Sequence, residues 1–179
     1  MVKGTILGIV SDTHGNIEYG LRAADYLVKR CGADVILHLG DDYCDAEALG
    51  YAGYPILAVP GLWCPEYHNG GIANRRIETF DGLRIAMTHA DKDLRATERA
   101  ADVILTGHTH VARVERIGHA VYMNPGHLKS KFDRGEHPSC GLIVIEENGF
   151  TCAIHEIDGK ARFSKHFPLN HGTNKEAAS

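Results

Sequence analysis

The chain is short of several things, and each shortage removes a class of function. No apolar stretch reaches the roughly 20 residues that a membrane-spanning helix requires. The N-terminus carries no secretory hydrophobic region followed by a cleavage site, so the expected location is cytoplasmic. Cysteine is sparse and badly spaced for pairing. Cys31, Cys44, Cys64, Cys140 and Cys152 are odd in number and form no Cys-x-x-Cys, which argues against a disulfide framework and a zinc ribbon. An excess of positive charge is missing too. A formal net charge of -4 gives no reason to expect nucleic acid or an anionic membrane as a partner. Internal repeats, low-complexity segments and linkers are also lacking. The expectation is one domain over residues 1–169, followed by a polar, disordered tail over 170–179.

Histidine is what the chain has in quantity. The 12 histidines are dispersed, which makes a tag a poor explanation for them, and several directly follow strand-like runs. Thr5–Val10 reads as a buried strand ended by Ser11-Asp12-Thr13-His14-Gly15. Asn16–Arg30 has the apolar spacing of an amphipathic helix, stopped at Cys31-Gly32. Asp34–Leu39 is a second strand, Asp45–Tyr51 a second helix and Pro55–Val59 a third strand. That alternation indicates a parallel sheet with crossover helices, an α/β protein. Leu62–Gly71 reads as irregular. Arg75–Phe80 and Leu83–Thr88 flank Asp81-Gly82, a strong hairpin signal, and Asp91–Ala100 reads as a short polar helix. Val103–Thr106 is another buried strand. Strands then follow near Val111–Arg116, Ala120–Met123, Cys140–Glu146, Thr151–Ile157 and Ala161–His166, with turns at Asn148-Gly149 and Asp158-Gly159.

The strand ends share a chemistry. They carry Asp12 and His14, then Asp41, then His89, then His108 and His110. Ligands of open α/β sheets bind outside the carboxyl ends of the strands. Oxygen and imidazole donors without a cysteine pair suit borderline metals such as Mn, Fe, Ni, Co or Zn. Six protein ligands are too many for one catalytic ion that keeps an open position, so two ions are expected. Ions roughly 3.5–4 Å apart hold a hydroxide between them and clamp a phosphoryl group for in-line attack.

Asp12-Thr13-His14, Gly40-Asp41, Thr88-His89, Gly107-His108-Thr109-His110 and Asn124-Pro125-Gly126 resemble, in this order, the motifs of the calcineurin-like metallophosphoesterases. The match is nearest to the small bacterial and archaeal phosphodiesterase branch, to which the eukaryotic retromer scaffold subunit is related. It covers roughly Thr5 to Ile157. The resemblance implies a four-layer α/β/β/α sandwich of two mixed sheets and a metal-dependent phosphodiesterase acting on a small or nucleotide-like phosphoester. It assigns Asp12, His14 and His110 to one divalent ion and His89 and His108 to another, with Asp41 bridging them. The donor set leaves Mn, Ni, Fe or Zn as the metals, and the sequence leaves a homo-oligomer open. The retromer subunit supplies the alternative, a non-catalytic metal-binding scaffold of the same fold.

Two positions depart from the family pattern. The third motif is Gly-Asn followed by Cys-Asp or His, and its Asn is a ligand of the second metal. Here the chain reads Gly61-Leu62-Trp63-Cys64-Pro65-Glu66, and Leu62 cannot bind an ion. Cys64 as a thiolate is one replacement, Glu66, His68 or water another, and an often empty second site the third; the plainer role for Cys64 is a buried thiol. His127 stands where the family has Ser, and is expected either to meet substrate phosphate or protonate a leaving oxygen, or to be an exposed loop residue. Other candidates are expected to be structural. His38 lies within an apolar strand, and Asp42 and Asp45 fall at the entry of the second helix; Asn16 precedes the first, where an approach to substrate and helix capping explain it equally well. Arg75 and Arg76 read as a solvated pair, and His119, His137, His155, His166 and His171 have no partner by spacing.

Overall fold

The computed structural model describes residues 4–169, so the expected tail and His171 lie outside the described residues. The chain opens with β1 (Ile6–Val10), α1 (Ile17–Asp25), β2 (Val35–His38), α2 (Tyr43–Tyr51) and β3 (Ile56–Ala58). After a short α3 (Pro65–Asn69) come β4 (Arg75–Phe80), β5 (Leu83–Thr88), α4 (Ala96–Arg99), β6 (Val103–Leu105), β7 (Arg113–Ile117) and β8 (Ala120–Asn124). Three long strands close the fold: β9 (Ser139–Glu146), β10 (Gly149–Glu156) and β11 (Ala161–Pro168).

They form two mixed sheets, ordered β11-β10-β9-β1-β2-β3 and β4-β5-β6-β8-β7. In the first, β1, β2 and β3 run parallel, and the remaining strands join antiparallel through β9. In the second, β5, β6 and β8 are the parallel core, with β4 and β7 antiparallel on the flanks. Alternation along β1 explains the layering. Leu7 and Ile9 point into the space between the sheets, where they meet Leu37, Leu39, Ile85, Met87, Leu105 and Met123. Val10 faces the other way, onto Ala23, Ala24, Leu27 and Leu49 of the helical layer. Ala86, Ile104 and Ala120 of the second sheet pack outward against Leu94 and Ala101. Helices, sheet, sheet and helix thus form four layers, as the resemblance implied.

Local chemistry accounts for the boundaries. The Asn16 side chain accepts from the Tyr19 N–H at 3.2 Å and starts α1. The last turn of that helix widens into a π-helical turn at Tyr26–Arg30. Asp81 (φ 48°) and Gly82 (φ 83°) adopt the left-handed pair that a two-residue hairpin loop demands. The expected helix at Asp91–Ala100 is broken into a 3-10 turn at Asp91–Asp93 and α4, because Leu94 is extended and buries its side chain in the outer core. Within the stretch expected to be irregular, α3 starts on Pro65 and stops at left-handed Gly70. The β9–β10 turn falls on Glu147 and Asn148, one residue earlier than expected. No helix among the described residues is long and apolar enough to cross a membrane.

Leu37 lies fully buried in the sheet-to-sheet core. Leu37→Ala is expected to cost about 2–5 kcal/mol, read as a lower urea midpoint with an unchanged slope.

Candidate metal centre

The carboxyl ends of the two parallel strand sets meet, and backbone hydrogen bonds lock their loops together. Asp12 N–H donates to the Gly40 carbonyl at 2.9 Å, and Thr13 N–H to the Asp41 carbonyl at 3.1 Å. Across the sheets, Gly107 N–H donates to the His89 carbonyl at 2.9 Å, and His108 N–H to Asp12 Oδ2 at 3.0 Å. Asn124 supports the histidine loop by donating to the Gly107 carbonyl at 2.8 Å and to Thr109 Oγ1 at 3.0 Å. Loop contacts this close require a residue without a side chain at one point above all. A Cβ on Gly61 would sit 1.9 Å from Asp41 Oδ1.

The same loops concentrate unusual backbone. Of seven non-glycine residues with positive φ among the described residues, five are Asp12, His14, Asp41, His108 and His110. Asp and His tolerate this region better than most residues, but each such conformation still costs free energy that surrounding contacts must offset.

Two groups result. Asp12, His14 and His110 present donor atoms within 4.8 Å of one another, and so do Asp41, His89 and His108. The groups touch. Asp12 Oδ1 lies 3.2 Å from His110 Nε2 and 3.9 Å from both His14 Nε2 and His89 Nε2. Asp41 Oδ2 lies 3.2 Å from His89 Nε2 and 3.7 Å from His14 Nε2. His89 Nδ1 is committed to the Leu39 carbonyl at 2.8 Å, which leaves Nε2 facing the cluster. Asp12, Asp41 and His89 are buried and form the floor, whereas His14 is half-buried and His108 exposed at the rim.

The electrostatics follow from this crowding. The Asp12 carboxylate, opposing burial and helped by Asp133, raises the pKa of His110 above its ordinary 6.5. Burial pulls His89 down, but Asp41 and Asp12 outweigh it and the net shift is upward. Burial pushes Asp41 up, yet His89 and the Trp63 N–H hold it below the usual carboxylate value. His108 is lowered by burial and by neighbouring His89. Pairing does not satisfy everything: Asp12 Oδ1 and His89 Nε2 are buried with no hydrogen-bond partner. Buried polar atoms are rarely left so, because each costs about 1–3 kcal/mol. A divalent cation is the ligand such oxygen and imidazole donors fit.

The family model of the calcineurin-like phosphoesterase superfamily domain matches residues 6–148. The chain belongs to that superfamily. Among solved structures, this superfamily member is similar to a Streptococcus pneumoniae protein called a predicted phosphoesterase (22% identity, TM-score 0.70, 94% of this chain and 99% of that one). It is similar to a novel archaeal phosphodiesterase (19% identity, TM-score 0.60, 92% and 100%). It is also similar to wild-type Vps29 of Entamoeba histolytica in complex with zinc (16% identity, TM-score 0.64, 93% and 100%). No curated protein matches the chain significantly.

Against this phosphoesterase frame, two sequence expectations change. Cys64 joins neither group. Its Sγ accepts instead from the backbone N–H groups of Tyr43 at 3.1 Å and Gly61 at 3.3 Å, and burial raises its pKa. The thiol ties the third loop to the start of α2. Neither Glu66 nor His68 replaces it in either group; His68 Nε2 donates to the Leu62 carbonyl at 2.9 Å. His127 is neither at a substrate face nor in solvent: it is fully buried behind His110, with ring centroids 5.6 Å apart. Its Nε2 donates to the Glu136 carbonyl at 3.2 Å, and burial lowers its pKa. A neutral histidine whose N–H is already committed is a poor proton donor.

His38 is structural as expected, whereas Asp42, Asp45 and the arginine pair differ from expectation. His137, His155 and His166, expected to lack partners, bond to the Lys131 carbonyl, the Tyr26 hydroxyl and the Thr151 hydroxyl. His38 is a neutral core histidine, pulled by burial to about 4, whose Nδ1 accepts from Gly40 N–H at 3.2 Å. Asp42 occupies the N-cap position of α2 without a side-chain cap bond, while buried Asp45 accepts from Gly15 N–H at 2.8 Å and so braces the first ligand loop. Arg75 and Arg76 face Glu98 (3.5 Å) and Glu78 (2.8 Å). One residue escaped the sequence reading: the Asp133 carboxylate accepts from His110 Nδ1. Nothing in its local pattern marks it.

Two outcomes are expected. Cys64→Ser leaves the number of bound metal ions unchanged in elemental analysis, since a hydroxyl can accept the same N–H bonds. In the metal-free protein, the raised His89 and His110 contribute stability that is complete below about pH 6.5 and lost as pH rises through their folded values. Metal ions displace those protons, so affinity runs the opposite way and strengthens with rising pH. Melting temperatures of metal-free and loaded protein from pH 6 to 9 should therefore diverge.

Proposed function

We propose that this chain is a phosphodiesterase that depends on two divalent metal ions and acts on small or nucleotide-like phosphoesters. The observation that carries the proposal is the pair of touching carboxylate–imidazole groups with unpartnered, buried donor atoms. In this reading Asp12, His14 and His110 hold one ion and His89 and His108 the other. Asp41 lies between them; its Oδ2 approaches both His89 and His14, which supports a bridging role. Mn, Ni, Fe and Zn all suit this donor set. Divalent ions, when bound, supply Lewis acidity towards a phosphoryl group and lower the pKa of water.

The chain's own residues contribute orientation and charge. The buried floor of Asp12, Asp41 and His89 leaves access from the rim formed by His14 and His108. The positive charge of Arg134 lies near enough to lower the pKa of His108, and it favours an anionic substrate on that side. Trp63, 76% exposed, follows Leu62, and its backbone N–H donates to Asp41 Oδ1 at 3.4 Å. An exposed aromatic ring on the loop that meets Asp41 is suited to stacking against a nucleobase or aryl group. A cytoplasmic location and a small phosphoester as the partner complete the proposal.

Leu62 at the position of a family ligand favours one rival, a scaffold that binds metal without turning over substrate. Hydrolysis separates the two. Metal-reconstituted protein is expected to cleave bis-p-nitrophenyl phosphate or members of a nucleotide phosphodiester panel, and absence of turnover across that panel would favour the scaffold. Asp41→Asn is expected to lower occupancy of both ions and reduce the rate at least about 100-fold. An active variant with two bound ions would refute the bridging role.

A further inference from the structure

The segment between β8 and β9 has no regular structure, yet it is pinned at several points. Asp133 and Glu136 exchange backbone hydrogen bonds at 3.0 and 2.8 Å, closing a tight loop. The Glu136 carbonyl also receives the His127 Nε2 proton at 3.2 Å. Arg162 of β11 fastens the loop from outside, pairing with the Glu136 carboxylate and donating to the His137 carbonyl. It also faces Glu156 at 3.5 Å. At the base of this loop, Asp133 Oδ2 accepts a hydrogen bond from His110 Nδ1, while Oδ1 lies 3.9 Å from Lys129 Nζ. On its other side, His110 Nε2 is 3.2 Å from Asp12 Oδ1 and 3.1 Å from His14 Nε2.

We propose that Asp133 is a positioning residue for the metal centre, held in place by the Arg162 clasp. The inference rests on the metal-binding role assigned to His110 above. A histidine that gives its Nδ1 proton to a carboxylate presents the Nε2 lone pair in a fixed direction and with raised basicity. Here that direction is towards Asp12 and His14, the other members of the same group. A stability role explains the pair less well. The Asp133 side chain is 22% exposed, so solvent and Lys129 share with His110 the stabilisation of its carboxylate. The clasp also gives the far sheet edge a part in the site: Arg162 of β11 restrains the loop that aims one ligand.

The test is calorimetric titration of metal-free wild type, Asp133→Ala, Asp133→Asn and Arg162→Met with Mn²⁺, alongside metal-free melting temperatures. Asp133→Ala is expected to weaken one of two binding events by about 10–100-fold and leave the other near wild type. Asp133→Asn, which keeps an acceptor without the charge, should fall between wild type and Asp133→Ala. Arg162→Met should give a smaller loss at the same event, and the metal-free melting temperature of Asp133→Ala should stay close to wild type. Two binding events of wild-type strength in Asp133→Ala would overturn this inference and leave the metal centre standing. A wild type that binds no ion would overturn both. A large drop in the metal-free melting temperature of Asp133→Ala, with wild-type affinity retained, would make Asp133 structural.

Discussion

Two carboxylates, those of Asp12 and Asp41, are buried at 0% and 1% exposure where the sheets meet. Removing ionised groups from water costs several kcal/mol each unless charge returns to them. His89 and His110 return part of it, which is why their pKa values rise. The compensation is incomplete, because Asp12 Oδ1 and His89 Nε2 keep no hydrogen-bond partner. The rest of the centre is arranged around this shortfall of positive charge. It is the property that a divalent cation answers and that a hydrophobic core would have avoided.

The surrounding architecture makes that burial tolerable. Each sheet contributes its parallel strand ends, so short loops, not long excursions, carry the donors. Left-handed backbone at Asp12, His14, Asp41, His108 and His110 turns those short loops sharply inward. The free energy this costs is offset by the lattice of hydrogen bonds linking Gly40, Asp41, His89 and Gly107 across the junction. Gly61 allows the third loop to lie against Asp41, and the Cys64 sulfur fixes that loop to α2. Leu62 therefore sits on a well-anchored loop whose backbone, and not a ligand side chain, meets Asp41 through the Trp63 N–H.

Much of this was readable in the chain. Buried strands announce themselves as short apolar runs, and Asp or His within two residues of Val10, Leu39, Thr88 and Thr106 could be lined up because parallel strands end on one side. The hairpin at Asp81-Gly82 and the cap at Asn16 follow from local rules that tertiary contacts do not override. Side-chain direction was not readable. Cys64 and His127 lie near the centre in sequence terms, but packing turns the first onto backbone N–H groups and seals the second behind His110. Asp133 was invisible for the opposite reason: it stands 23 residues from His110, on a loop without periodicity, and only the folded chain brings them together. The break at Leu94 likewise depends on a core contact that helical spacing cannot reveal.

Anomalous scattering from crystals grown with Mn²⁺ tests the account most directly. Two anomalous peaks are predicted, one among Asp12, His14 and His110 and the other among His89, His108 and Asp41, with Asp41 in contact with both and Cys64 with neither. Crystals with no anomalous density between these residues, or with a peak on the Cys64 sulfur, would contradict it.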